Sequence, residues 1–156
     1  MRRKDREVTD EKKIREIILS CHCCRLGFSV NTGVYIVPLS FGYAEKDHER
    51  LFYFHGAREG RKMALIAQSP SVGFELDTHY QLQEGESACR YSARHQSIIG
   101  SGTVSLITDA AEKEKALQKI MEHYTGRDDW PFTSVMTDSA AVFQLEVTEL
   151  SCKEHA

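Results

Sequence analysis

The chain has no apolar run approaching the length needed to cross a bilayer. After the charged start Met1-Arg2-Arg3-Lys4-Asp5-Arg6, no apolar segment of the kind a secretory signal requires follows. It has neither a Walker loop, Gly-x-x-x-x-Gly-Lys-[Ser/Thr], nor a Gly-x-Gly-x-x-Gly dinucleotide turn. It also lacks an excess of either charge. Twenty basic and 23 acidic residues leave a net charge of −3, which removes the electrostatic case for binding nucleic acid or an anionic membrane surface. The seven histidines are scattered, with no Ser-and-acid arrangement of a hydrolytic triad. Five cysteines cannot all pair, and three of them crowd into Cys21-His22-Cys23-Cys24. A zinc site needs four ligands, usually two pairs held apart by a loop, and the second Cys-x-x-Cys pair is missing. Adjacent Cys23 and Cys24 would also point to opposite faces of a strand. The expectation is reduced structural thiols and no metal.

What is present is the composition of a globular domain, with 41% apolar and 28% charged residues in 156. A chain of this length buries roughly two-thirds of its unfolded surface. One domain over residues 1–156, most simply cytosolic, is expected, with no internal repeat or linker.

Thr9 or Asp10 can cap a first helix running to about Ser20, with Ile14, Ile17, Ile18 and Cys21 at helical spacing. Cys24 to Val30 reads as a strand, Asn31-Thr32-Gly33 as a turn, and Val34 to Tyr43 as the partner strand of a hairpin. Pro38 lies inside that partner. Since proline cannot donate to a ladder, it marks an edge, a bulge or a gap that leaves backbone groups free to meet a ligand. Ala44 to Glu49 reads as a polar loop, and Arg50 to Gly56 as a third strand. A helix from about Glu59 should bury Met63, Ile66 and Ala67 before Pro70 ends it. Val72, Phe74 and Leu76 alternate with polar neighbours in a fourth strand. A long fifth segment, Ala88 to Ile107, should bend or bulge at Gly100 and Gly102. Asp109 caps a last long helix, with Leu117, Ile120, Met121 and Tyr124 on one stripe and Gly126 closing it. A loop then carries Trp130-Pro131-Phe132, and Ala141, Phe143, Leu145 and Val147 mark the final strand. Three consecutive strands with short turns cannot be a βαβ series, so a mainly β, antiparallel barrel with flanking helices fits better than a Rossmann sheet.

The most informative stretch is Tyr53-Phe54-His55-Gly56-Ala57-Arg58-Glu59-Gly60-Arg61-Lys62. A strand runs into a glycine-punctuated turn and then into a helix that opens on basic residues. Free N–H groups and positive charge at a helix start suit a phosphate. A helix that merely begins with solvated basic residues would have the same spacing.

With three further segments, that stretch resembles the pyridoxamine-5′-phosphate-oxidase-like, flavin-binding split-barrel superfamily, and within it the Nim-type nitroimidazole-resistance proteins. The other segments are Met1-Arg2-Arg3-Lys4-Asp5-Arg6-Glu7-Val8, Val37-Pro38-Leu39-Ser40-Phe41-Gly42-Tyr43 and Tyr91-Ser92-Ala93-Arg94-His95-Gln96-Ser97-Ile98-Ile99-Gly100-Ser101-Gly102. The resemblance covers nearly the whole chain. It implies a six-stranded antiparallel split barrel that forms a homodimer and holds flavin mononucleotide (FMN) at the subunit interface. By the same resemblance, Arg61 and Lys62 bind the FMN phosphate, and His55, Gly56 and Ala57 form the strand end against the flavin. Pro38, Leu39, Ser40 and Phe41 would face the isoalloxazine ring with their backbone. Gln96 and Ser97 would add polar contacts, and Trp130 of a partner subunit would cover the ring.

Because a flavin carries the redox chemistry itself, no catalytic triad is demanded of the protein. His55 is the candidate proton donor to a small-molecule acceptor, although a strand-end histidine bonded to backbone would read the same way. The expected function is an FMN-dependent oxidoreductase that draws on a nicotinamide or another donor and reduces a nitroimidazole or other nitroaromatic. The alternative is a split barrel that holds flavin or haem without turnover. Oxidation of pyridoxamine phosphate itself is not expected, since Thr148 to Ala156 offers only Lys153 and His155 for a second phosphate.

Overall fold

A computed structural model describes residues 4–47 and 49–155. Met1, Arg2 and Arg3 of the first family segment lie outside the described residues, as do His48 and Ala156. Eight antiparallel strands and four α-helices follow in the order β1 (Glu7–Val8), α1 (Glu11–Ser20), β2 (Cys24–Val30), β3 (Gly33–Leu39), β4 (Gly42–Lys46), β5 (Glu49–Gly56), α2 (Arg61–Gln68), β6 (Ser71–Gln83), β7 (Ser92–Ile107), α3 (Ala110–Thr125), α4 (Ser134–Ser139) and β8 (Ala141–His155). Among the described residues, no helix is long and apolar enough to cross a membrane.

The strands hydrogen-bond in the order β3-β2-β6-β7-β8-β5-β4, with β1 added to β8. This is an eight-stranded sheet whose pairing is an open path, rather than the expected six strands. One extra strand is β1, the short Glu7–Val8 segment paired with β8, and two local facts account for the other, β4. The expected strand from Val34 to Tyr43 breaks at Ser40 and Phe41, so its halves become β3, paired with β2, and β4, paired with β5. The expected polar loop from Ala44 to Glu49 is mostly ladder, with Ala44 opposite Leu51 and Lys46 opposite Glu49. Polar composition misleads there because β4 is a rim strand, whose charged side chains stay in water. Pro38 sits on the opposite rim, in β3, where its missing N–H costs little.

The sheet curls around one aromatic core. Phe28, Phe41, Phe52, Phe54 and Phe143 are fully buried. Phe52 of β5 meets Phe74 of β6 at 5.5 Å between ring centroids, although those strands are not ladder neighbours. α1 adds Ile14, Ile17 and Ile18, its start fixed by the Asp10 carboxylate, which accepts from the Lys13 N–H at 2.7 Å. Met63 and Ile66 of α2 pack as expected, but Ala67 is exposed and Leu65 packs in its place. The helix starts two residues later than expected, at Arg61. α4 was not anticipated. Its start is capped by the Thr133 hydroxyl, which accepts from the Met136 N–H at 3.3 Å.

α3 lies on the outer face of β4 and β5, over Val142, Tyr53 and Ile107. The contact is backbone to backbone at Gly42, where an added Cβ would stand 2.5 Å from the Ile120 nitrogen. Gly42→Ala is therefore expected to cost about 1–3 kcal/mol, read as a lower denaturant midpoint at unchanged slope. An unchanged midpoint would mean that α3 is free to shift.

The bend expected near Gly100 and Gly102 is a register shift between Ser101 and Gly102 in the β7–β8 ladder. All five cysteines are free; Cys21, Cys24 and Cys152 are buried, and Cys89 is exposed. Burial pushes the Cys21 thiol up to about 12 and that of Cys152 to about 11, and raises Cys24 well above the usual thiol range. In the folded protein at pH 8, Cys89 should react with a disulfide reagent first, while Cys21, Cys24 and Cys152 react only on unfolding. Rapid labelling of those three in the native state would contradict the packing.

Candidate functional site

β5 ends at Gly56, and the chain turns through Ala57–Glu59 to Gly60, whose φ of +116° is a conformation that favours glycine. The Gly60 carbonyl accepts from the Met63 and Ala64 N–H groups at 3.1 and 3.2 Å, which starts α2. With no side chain at Gly60 to cap the helix, its first N–H groups are left for a ligand or water.

Arg61 and Lys62 open this helix and lean to different seats. The Arg61 guanidinium lies 4.6 Å from the Tyr35 ring centroid on β3. The Lys62 ammonium lies 5.4 Å from the Phe143 ring centroid and crosses Gly56 so closely that a Cβ there would be 2.5 Å from Nζ. Burial lowers the Lys62 pKa. Among the described residues, neither cation has a carboxylate within ion-pair distance. Two positive groups are thus held on aromatic faces beside open helix N–H groups, with no internal counter-charge. Chemically, that is a seat for an anion.

The other expected residues are more dispersed. His55 is exposed and stands opposite Val142. Strand alternation puts its ring on the face of Tyr53, whereas Phe54 and Gly56 share the face that Lys62 crosses. Ala57 is exposed in the turn. Pro38 and Leu39 lie on the β3 rim, opposite Arg25 and Cys24.

Ser40 and Phe41 form the gap between β3 and β4, but the Phe41 N–H is not free as expected. It donates to the Tyr124 hydroxyl at 3.1 Å, and that hydroxyl donates to the His22 carbonyl at 2.8 Å. The Phe41 ring is buried against Phe52 at 5.5 Å and His123 at 4.3 Å. His123 in turn donates from Nε2 to the Cys21 carbonyl at 2.8 Å, and burial lowers its pKa.

Gln96 is 9% exposed, and its amide is engaged at both ends. Nε2 donates to Glu154 at 2.5 Å, and Oε1 lies 2.7 Å from His79 Nδ1, which must therefore carry the proton. Ser97 sits between Asp77 and Lys153 in the ladder. Trp130 bonds within α3 and the loop after it: its indole N–H donates to the Thr125 hydroxyl at 3.1 Å, and Arg127 lies 4.6 Å from its ring centroid.

The structure therefore brings Gly56, Arg61 and Lys62 together and leaves His55, Gln96 and Trp130 apart from that cluster. Sequence reasoning missed Tyr35 and Phe143, the two aromatic seats. Period-two alternation would have marked Phe143 as inward, but nothing local foretold that β3 and β8 both meet α2.

The family model described as pyridoxamine 5′-phosphate oxidase matches residues 10–154. Among solved structures, one from Bacteroides thetaiotaomicron, named as a candidate 5-nitroimidazole antibiotic resistance protein, is 30% identical; the match covers 95% of this chain and 86% of that one, with a TM-score of 0.80. A flavocytochrome from Azotobacter vinelandii is 19% identical over 100% of this chain and 72% of its own, with a TM-score of 0.80. An FAD- and haem-binding protein from Mycobacterium smegmatis is 14% identical over 96% of this chain and 73% of its own, also at 0.80. At those lower identities the likeness is one of fold alone. No curated protein matches the sequence. With a family match over nearly its full length and a 30% identical relative of the same architecture, the chain belongs to the pyridoxamine 5′-phosphate oxidase family.

Proposed function

We propose that the protein is an FMN-dependent oxidoreductase that works as a homodimer. It takes electrons from a nicotinamide or similar donor and reduces a small acceptor such as a nitroimidazole or another nitroaromatic. The observation that carries this reading is that Arg61 and Lys62 at the start of α2, one of them crossing Gly56, have no ion pair among the described residues. The residues fit the group. A phosphate monoester carries about −1.5 to −2 charges near neutral pH, which two cations and open N–H groups match. An anion there would also offset the burial that disfavours the Lys62 charge.

When bound, the flavin supplies the electron-transfer chemistry. In this reading the protein's own groups bind, orient and deliver protons. Arg61 and Lys62 hold the phosphate. Gly56 and Ala57 give the backbone room beside it, and Pro38, Leu39 and Ser40 face the ring. Gln96, fixed by His79 and Glu154, and Ser97 add polar contacts, and Trp130 of a second copy covers the ring. The exposed imidazole of His55 donates a proton to the reduced acceptor. The name of the Bacteroides relative supports the acceptor class. Dimerisation is supported by the outer sheet face, where Val34, Ile36 and Ile99 are 65%, 61% and 58% exposed around the paired Gly27 and Gly73.

Anaerobic mixing with NADPH and then a nitroimidazole tests the reading. Bleaching of the yellow chromophore, followed by acceptor-dependent recovery, is expected, and His55→Asn should slow the recovery without loss of flavin. A chromophore that never bleaches with any donor would make the protein a holder of flavin rather than a catalyst.

A further inference from the structure

We propose that a cavity at the end of the β7–β8 pair, separate from the α2 phosphate cradle, binds a small organic monoanion: an aromatic or alicyclic carboxylate. This goes beyond the flavin reading and does not depend on it. The cavity measures about 550 Å³, within the usual span of small-molecule sites. Met63, Ile107 and Val142 supply apolar lining, and Leu106, 46% exposed, leaves one apolar wall uncovered.

Two cations line this mixed polar and apolar cleft. Arg58 comes from the turn before α2 and Lys113 from the start of α3. Among the described residues, neither has a carboxylate within ion-pair distance. Arg58 Nη1 donates to the Asp138 backbone carbonyl at 3.3 Å, which steers the guanidinium to the cavity without neutralising it. Lys113 lies near the positive end of the α3 dipole, where an unpaired cation is disfavoured and an anion would be welcome. The Asp138 carboxylate also lines the cavity, so the three formal charges sum to one positive. That balance suits a carboxylate better than a phosphate dianion. An apolar body would cover Leu106, and the planar guanidinium matches a carboxylate head.

The cavity borders the flavin seat without sharing its residues. Lys62 lies against Gly56 and Phe143, the ladder partners of the lining residues Ala141 and Leu106. Gly56, Arg61, Lys62 and Phe143 do not line the cavity. Arg61 leans to Tyr35 of β3, whereas Met63, roughly 200° further round the helix, faces the cavity on the β7 side.

Titration of the full-length protein, with whatever flavin it carries, tests the assignment, with naphthoate as probe and its methyl ester as the neutral control. Naphthoate should bind, and the ester should bind more weakly. Arg58→Gln with Lys113→Gln should weaken naphthoate by at least about tenfold and leave the ester unaffected. Arg61→Ala with Lys62→Ala should leave naphthoate binding intact whatever happens to the flavin, so the two sites fail independently. No naphthoate binding at millimolar concentration would overturn the proposal, as would equal affinity in the Arg58/Lys113 variant. Full displacement of naphthoate by FMN would assign the cavity to the flavin instead.

Discussion

Protein carrying Arg61→Ala and Lys62→Ala together should purify colourless. Each lost charge-assisted bond to a phosphate is worth roughly 1.5–3 kcal/mol, so the pair should weaken flavin binding by about two to four orders of magnitude. The effect on folding should be small, since loss of the ring contacts of Arg61 and Lys62 is offset by relief of a buried charge. Burial already disfavours the Lys62 charge, and neither residue has an ion pair to lose among the described residues. Reconstitution with FMN, followed by measurement of the released chromophore, separates the two effects. A double variant that melts like the flavin-free parent but holds no flavin supports the cradle. A variant that retains full flavin occupancy moves the phosphate site elsewhere.

Phe52→Ala should cost about 3–5 kcal/mol of stability, a large share of what a domain of this size has. The Phe52 ring lies 5.5 Å from that of Phe41, 5.1 Å from Tyr43 and 5.5 Å from Phe74. Those partners come from the gap after β3, from β4 and from β6. Tyr43 is the ladder partner of Phe52, but through Phe74 the Phe52 ring joins β5 to β6, which no ladder joins, because pairing runs open from β3 to β4. Truncation would leave a void touching several elements that cannot all collapse into it. Urea unfolding measures the loss, and Phe52→Leu, which keeps most of the volume, should retain most of the stability. A loss below about 1 kcal/mol for alanine would mean that the two arms are held some other way.

The boundaries of α1 and α3 were legible because their causes are local, although the equally local Thr133 cap of α4 was missed. Asp10 and Asp109 cap as their side chains allow, and Gly126, at φ +70°, closes α3. The alternation of Val72, Phe74 and Leu76 also reads directly as burial. β4 was not legible, because a solvated rim strand keeps the composition of a loop and declares itself only through its partner in β5. The second half of β8 was hidden likewise: Thr148–Glu149 are exposed, and ladder bonds to β7 hold them rather than an apolar face. At the site, the cations and their glycine were visible because strand end, turn and helix start are contiguous. The aromatic seats, and the bond from Phe41 to Tyr124 across 83 positions, required the finished fold.

The hold on α3 has a consequence for motion. Close contact at Gly42 fixes the middle of the helix, and one tyrosine hydroxyl, accepting from Phe41 and donating to His22, fixes its last turn. Axial slip of α3 would break both at once, so this helix cannot serve as a sliding gate. α2, by contrast, rests on the sheet through the Tyr35 and Phe143 rings and through Met63, Leu65 and Ile66.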